Sequence, residues 1–170
     1  MTLGIALKPL RLVLVAALAL GVSAMPGSSA VSPVVPVTEQ VGTTSLPKVR
    51  RWKAAELRMM RWINRERTDE GLNALKFRKT LGYLGRKHSR KMRSAGFIFH
   101  SDLSRTVRRL RWRTAGENVG VGPTAGALHK AFMASPGHRA NVLASGYDRV
   151  GVGLVTSAGG VIWVTVLFLG

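Results

Sequence analysis

The spacing of hydrophobic residues after position 50 predicts an amphipathic helix as the first element of the fold. This helix runs from Lys53 to Glu70 and ends before Gly71, a residue type that commonly terminates helices. Its apolar positions recur at helical spacing and are Leu57, Met60 and Ile63, with Met59 on the flank. We expect this face to pack on the core.

A second helix is predicted from Thr80, a suitable N-cap, to about Ala95, and Gly96 closes it. The residues that share its apolar face are Leu81, Leu84, His88 and Met92. A lone histidine on a buried stripe is more often a hydrogen-bonded packing residue than a ligand. We therefore assign His88 a structural role.

Helical signals return after residue 123. Thr124 is a suitable N-cap for a third helix that ends near Ala134, and Ser135 and Pro136 then mark the N-cap and first position of a short fourth helix. His129, within the third helix, is expected to be solvated.

The end of the chain has strand patterns instead. Apolar residues alternate with glycines in residues 149–155, and residues 157–160 (SAGG) predict a hairpin turn. Residues 161–169 are nearly all apolar, as in a central strand covered on both faces.

The middle of the chain has weaker signals. Residues 97–103 predict a short strand or extended turn. Residues 101–114 predict a long loop with a short helical piece at RTVRRLRW. Helices outside a small antiparallel sheet, an α+β fold, are the simplest architecture.

Residues 1–30 predict a secretory signal peptide. A basic start precedes the apolar core LVLVAALALGV, which is too short to span a bilayer, and small residues follow it. Cleavage after Ala24 or after Ala30 satisfies the small-residue rule, and a retained amino-terminal anchor is the alternative. With either outcome we expect a secreted, extracellular domain.

Residues 31–50 contain three prolines and predict an extended linker, so that residues 51–170 form one domain. The chain has no cysteine, which excludes a disulfide framework, a thiolate metal site and a cysteine nucleophile. No transmembrane helix is expected in the mature protein.

The charge is strongly unbalanced, with 26 Lys and Arg against 8 Asp and Glu and a net charge of +18. Trp52, Trp62 and Trp112 lie among the arginines, an arrangement that could stack bases or lie against acidic polymers. For an exported protein the nearest anions are phospholipid head groups and cell-envelope polymers. A lipid or an anionic envelope polymer is therefore the expected partner, and a dedicated nucleic-acid partner is not.

Several motifs occur in a fixed order between residues 55 and 169. They are INRER, GLNAL, HSRKM, FIFHSDL, GENVGVG, FMASPGHRANVL and YDRVGVGL. The ordered set resembles the CAP superfamily of cysteine-rich secretory, antigen 5 and pathogenesis-related 1 proteins, also called SCP-like domains. The resemblance implies a three-layer α-β-α sandwich with a small, mainly antiparallel sheet. Without cysteine, the chain is similar to the bacterial secreted branch.

The resemblance also implies a cleft with two histidines and two acidic residues. Matched by motif, His100, Glu117 and His138 fill three of these positions, and Ser135 stands where many relatives have a second glutamate. A serine hydroxyl carries no charge at neutral pH. This difference disfavours a mechanism that needs two carboxylates.

The trio of His100, Glu117 and His138 has more than one chemical interpretation. It could hold Zn²⁺ with an open position, or the carboxylate could orient one imidazole without binding the metal. No local HExxH arrangement is present. The alternative is a hydrogen-bonded cleft without a ligand, in which Asn118 ties adjacent loops together.

Three functions follow from these observations. The favoured one is a secreted binding module whose His/Glu cleft and basic surface engage lipid, cell-envelope or host ligands. The second is a metal-dependent hydrolase or peptidase, for which no nucleophile elbow is recognisable. The third is an envelope-associated protein that acts through its basic surface alone. We favour binding over catalysis because a fold does not establish an activity.

Overall fold

The computed structural model describes residues 48–170, with side chains from residue 54 onwards. The expected signal peptide and most of the expected linker lie outside the described residues. Within them the elements are α1 (Lys48–Asp69), β1 (Lys76–Phe77), α2 (Lys79–Ala95), α3 (Leu103–Val107), β2 (Ala115–Gly122), α4 (Ala125–Ala134), α5 (Pro136–Leu143), β3 (Arg149–Thr156) and β4 (Ile162–Leu169). No helix in this part of the chain is long and apolar enough to cross a membrane.

The four strands form one sheet in the order β1-β3-β4-β2. β4 lies between β3 and β2, is antiparallel to both, and is buried along almost its whole length, which confirms the predicted central strand. The predicted hairpin turn is also confirmed, since Ser157 donates its N–H to the carbonyl of Val161 at 2.9 Å. β1 pairs with β3 in parallel over two residues.

Helices cover both faces of this sheet. Because successive strand residues point to opposite faces, Val152 and Val166 lie in one core with Ile63 of α1 and Phe132 of α4. On the other face, Leu167 of β4 packs in a separate cluster under α2 and α3. The expected three-layer α-β-α sandwich is confirmed.

The helix α2 lies directly on the sheet because glycines line the contact. A Cβ added at Gly153 would overlap the backbone of Arg86, and one at Gly151 would overlap the same helix. On the helix side, a Cβ at Gly85 would lie 2.9 Å from the carbonyl oxygen of Thr165. The alternation of valine and glycine in β3 therefore fills one core and lets a helix backbone approach on the opposite face.

The buried face of α1 differs from the predicted one. The helix begins at Lys48 rather than Lys53. Leu57, predicted on the apolar face, is 41% exposed, whereas Met59 and Ile63 are fully buried. The buried face of α1 is rotated relative to the predicted one because two charged residues of the helix are also buried.

These two charged residues connect the layers. The Glu56 carboxylate accepts hydrogen bonds from the Arg86 guanidinium at 3.0 and 2.7 Å and from the N–H of Leu154 at 3.2 Å. Arg67 donates to backbone carbonyls near the end of α5, including that of Val142 at 2.8 Å. Because hydrophobic periodicity does not detect a charge that is buried with its partners, the sequence pattern misplaced this face.

Two helix starts also differ from prediction. Arg78 is the N-cap of α2, so Thr80 lies within the first turn. α3 begins at Leu103, before the predicted helical piece, because the carboxylate of Asp102 accepts the N–H of Arg105 at 3.0 Å.

The strand β2 was not predicted. Its glycines interrupt the apolar alternation that marks a strand, and long-range pairing with β4 supplies its register. A Cβ at Gly120 or Gly122 would press against Leu128 of α4. These glycines therefore serve the packing of α4.

Around α4, one prediction holds and one is wrong. Thr124 caps the helix as expected, its hydroxyl accepting the N–H of Ala127 at 3.0 Å. His129 is only 7% exposed, contrary to the expected solvation. Its Nε2 lies 3.1 Å from a carboxylate oxygen of Glu66, and its ring packs against Trp62, because α4 turns this face onto α1.

We predict that Gly153→Ala strongly destabilises the domain, by about 3 kcal/mol or more, because the added methyl meets helix backbone that cannot move aside. Chemical denaturation of the purified protein measures this loss. Gly159→Ala is the matched control, since a Cβ there meets nothing within 4 Å. Equal stability of the two variants would contradict the proposed contact.

Candidate functional site

The segment that carries His100 is held at both ends. Gly96, with φ of 80°, ends α2 in the left-handed conformation, as predicted, and Asp102 begins α3. Between them, residues 97–102 form a loop rather than a strand. His88 of α2 fixes this loop, because its Nε2 donates to the carbonyl of Phe99 at 2.8 Å and its ring meets the Phe99 ring edge-on.

Glu117 of β2 holds His100 in place. One carboxylate oxygen lies 3.0 Å from His100 Nδ1 and 2.8 Å from the backbone nitrogen of Ser101. The other accepts the Ser101 hydroxyl at 2.7 Å. An ionised carboxylate can only accept, so the proton of the neutral His100 imidazole is placed on Nδ1.

The environment of Glu117 favours its ionised form. Burial, which leaves the residue 3% exposed, would raise the pKa of this carboxyl, but the hydrogen bonds from His100 and Ser101 outweigh it, and the nearby His88 adds to them. The net effect lowers the pKa of Glu117 below its ordinary value. Glu117 is therefore a fixed anion and a weak proton acceptor.

His138 and Ser135 form a second pair. His138, in the first turn of α5, is fully buried, and its Nδ1 lies 2.9 Å from the hydroxyl oxygen of Ser135. Ser135 is the N-cap of α5 by position, but its side chain caps no N–H because it bonds His138 instead. The His138 ring also packs against Phe132 of α4 at 5.0 Å between ring centres.

Two asparagines connect the pair of His100 and Glu117 with the pair of His138 and Ser135 through β2. Asn118, the neighbour of Glu117, donates to the carbonyl of His138 at 3.0 Å. Asn141 of α5 donates to the side chain of Asn118 at 2.8 Å and to the carbonyl of Glu117 at 3.2 Å. Because adjacent strand residues face opposite sides, β2 carries the carboxylate towards His100 and the amide towards α5. The expected linking role of Asn118 is present.

A cleft of about 580 Å³ opens beside His100. It lies between α2 and the segment that contains α3, and the side chains around it are Leu84, Lys87, His88, Lys91, Phe99, His100, Ser101, Asp102, Arg105, Thr106 and Arg108. Of the four sequence-predicted site residues, His100 lines the cleft. Glu117 lies behind it, and Ser135 and His138 do not line it.

The possible His₂Glu zinc set is not supported by this arrangement. Among the described residues, no three His, Asp or Glu side chains are grouped so that they could hold a metal ion. Both carboxylate oxygens of Glu117 already accept hydrogen bonds from His100 or Ser101. Glu117 orients an imidazole here, which was the alternative interpretation of the trio.

Sequence reasoning missed several residues of this region. His88 has the hydrogen-bonded structural role expected of it, since it anchors the His100 loop, but it also lines the cleft. The four cations of the cleft were visible only as basic runs, because their convergence depends on how α2 and α3 face each other. The helical spacing of Lys87 and Lys91, and of Arg105 and Arg108, is a local signal that could have indicated shared surfaces.

Sequence comparison gives the family. The model of the CAP, or cysteine-rich secretory protein, family matches residues 60–168, and the chain belongs to this family. The chain is 34% identical over 137 residues to the protein YkwD of Bacillus subtilis, covering 75% of this chain and 51% of that protein. It thus spans about half the length of this relative, and it is a CAP domain of the bacterial type.

Solved structures share the fold. An extracellular protein of Bacillus anthracis that contains an SCP domain aligns with a TM-score of 0.65 at 20% identity, covering 75% of this chain and 45% of that one. An outer surface protein of Borrelia burgdorferi aligns with a TM-score of 0.64 at 18% identity, covering 69% of this chain and 92% of that one. At these identities the likeness establishes the three-layer architecture.

We predict that Glu117→Gln destabilises the protein by roughly 1–3 kcal/mol at pH 7, because the charge-assisted bonds to His100 and Ser101 are weakened. Since folding lowers the pKa of Glu117, its stabilisation is present at neutral pH and is lost as the pH falls through the folded-state pKa, below 4.5.

Denaturant titrations of both proteins from pH 7 to pH 3 measure this difference. We expect the gap between wild type and Glu117→Gln to narrow below pH 4.5. A gap that stays constant across this range would show that Glu117 does not act as a fixed anion.

Proposed function

We propose that this CAP domain is an exported binding module that holds a ligand of the cell envelope in the cleft beside His100. The observation that carries the proposal is the His100 imidazole, fixed by Glu117 in the wall of an open cleft of about 580 Å³. A rigid polar group at the edge of a preformed cavity is typical of small-ligand sites. The amino-terminal signal pattern supports export of the domain.

The cleft chemistry favours binding over hydrolysis. Two hydroxyls line the cleft, on Ser101 and Thr106. The Ser101 hydroxyl donates to Glu117, whose lowered pKa makes it a poor general base for activating that hydroxyl. The other candidate hydroxyl, on Ser135, bonds His138 away from the cleft lining. Neither arrangement presents an activated nucleophile to a bound substrate.

The charge of the cleft selects the class of envelope ligand. Two lysines and two arginines line it, against one acidic side chain, Asp102, which caps α3. Anionic components of the envelope, among them lipid head groups and polymers, match this charge. A neutral ligand would leave the cations without compensation.

We predict that His100→Ala weakens binding of an anionic envelope ligand at least tenfold, equivalent to about 1.4 kcal/mol, because a fixed polar contact in the cleft is lost. Equilibrium binding of the purified protein to phosphatidylglycerol vesicles and to soluble envelope polymer measures the effect. Lys130→Ala, an exposed change on α4, is the control and should leave binding unchanged.

Two results would contradict this function. One is binding that His100→Ala leaves unaffected for every ligand. The other is peptide hydrolysis by the wild-type protein that Ser135→Ala abolishes while the fold survives, because a binding module has no such turnover.

A further inference from the structure

The region from the start of α2 to the start of β2 carries charge of almost one sign. Residues 78–114 contain twelve Lys and Arg and one acidic residue, Asp102. The Asp102 carboxylate is occupied, since it accepts the N–H of Arg105 at 3.0 Å and the Ser104 hydroxyl at 2.8 Å. Of the twelve cations, Arg86 is the one that forms an ion pair with an acidic side chain of the described domain. Most of the positive charge of this surface is therefore not balanced by acidic side chains of the described domain.

The cleft lies inside this basic surface. Lys87 and Lys91 are one helical turn apart and stand side by side on α2. Arg105 of α3 and Arg108 at its C-cap also line the cleft. Four cations around one cavity repel one another, and the protein walls concentrate their field. An anion in the cleft would relieve this repulsion.

The remaining groups indicate the chemistry of that anion. The arginines match phosphate oxygens with paired N–H donors, and the lysines act as point charges. Leu84 and Phe99 add apolar surface to the same cleft, and Thr106 adds a hydroxyl. A chain of charged phosphates joined by short carbon units would match both the cations and the apolar surface of the cleft.

The basic surface is better suited to a linear polymer than to a lipid bilayer. Exposed basic residues continue beyond the cleft at Arg90 on α2 and at Arg109 after α3, so more than one anion can be held along it. The large exposed apolar residues of this region, Tyr83 and Phe97, are 60% and 62% exposed. They lie at opposite ends of α2, about 20 Å apart along the helix, and form no single wedge for insertion into lipid.

The described tryptophans do not provide base-stacking platforms. Trp112, which the sequence placed among arginines, packs against the cluster beneath α2 and α3. Trp62 packs on the ring of His129 in the opposite layer. Recognition of single-stranded nucleic acid relies on exposed aromatic faces along the binding groove. The exposed rings of Tyr83 and Phe97 do not line the cleft, and the Phe99 ring, which does, meets His88 edge-on. A polymer without bases therefore suits this groove better.

We propose that α2 and residues 103–113 form a groove for a linear polyanion made of phosphodiester groups on a polyol backbone, with Lys87, Lys91, Arg105 and Arg108 contacting successive phosphates. This inference rests on the proposed function, because it names the ligand class of the same cleft.

The test is fluorescence anisotropy of end-labelled poly(glycerol phosphate) with the purified protein at about 50 to 200 mM salt. Four phosphate contacts predict that affinity falls roughly 50-fold over this range. Lys87→Gln with Lys91→Gln should reduce the fall to roughly 7-fold, because two contacts are lost. The matched control is Arg61→Gln with Arg65→Gln, two exposed residues of equal charge and spacing on α1, which should leave the fall unchanged.

Equal effects of the two double variants would overturn the groove, since binding would then follow net charge alone. Tighter binding of single-stranded DNA than of poly(glycerol phosphate), or cleft-dependent binding of phosphatidylglycerol vesicles without binding of the polymer, would also overturn it. Binding that depends on His100 but not on salt or on the two lysines would remove this inference and leave the proposed function standing. Groove binding that His100→Ala leaves intact would contradict the proposed function, and with it the assignment of the polyanion to the cleft beside His100.

Discussion

The close approach of α2 to the sheet is the contact on which the rest of the structure depends. Gly151 and Gly153 of β3 leave no side chain between the strand and the helix, and Gly85 faces them from α2. Ser89 of α2 adds a hydrogen bond to the carbonyl of Gly153 at 2.9 Å. This packing fixes where α2 presents His88 and the two cleft lysines. The shape of the cleft consequently depends on the contact between α2 and the sheet as well as on the residues that line it.

Buried carboxylates then connect the layers and the site. Glu56 joins α1 to α2 and satisfies a backbone N–H of β3, while Glu117 fixes the loop that follows α2. Each carboxylate is surrounded by donors, so its burial is compensated. With Glu117 committed to His100 and Ser101, this side of the cleft carries a rigid imidazole rather than a reactive acid. The proposed binding module is favoured over a hydrolase because neither the Ser101 nor the Ser135 hydroxyl is placed as an activated nucleophile.

The sequence predicted the parts whose signals are local. The central strand β4, its hairpin with β3, and the caps at Gly96 and Thr124 all follow from short patterns. The sequence pattern did not predict β2, because glycines interrupt its apolar alternation and its pairing with β4 is long-range. It also placed Leu57 in the core wrongly, because the buried charged residues of α1 change which face of the helix is buried. Motif resemblance identified His100 and Glu117, which contact each other, but the cleft that His100 lines depends on packing between elements distant from either motif.

The central claim is that a phosphodiester ligand occupies the cleft beside a fixed His100. A crystal structure of the protein bound to a short glycerol phosphate oligomer tests it most directly. The account predicts phosphates ordered among Lys87, Lys91, Arg105 and Arg108, with the contact between His100 and Glu117 retained. An oligomer ordered on another face of the domain, with the cleft empty, would contradict it.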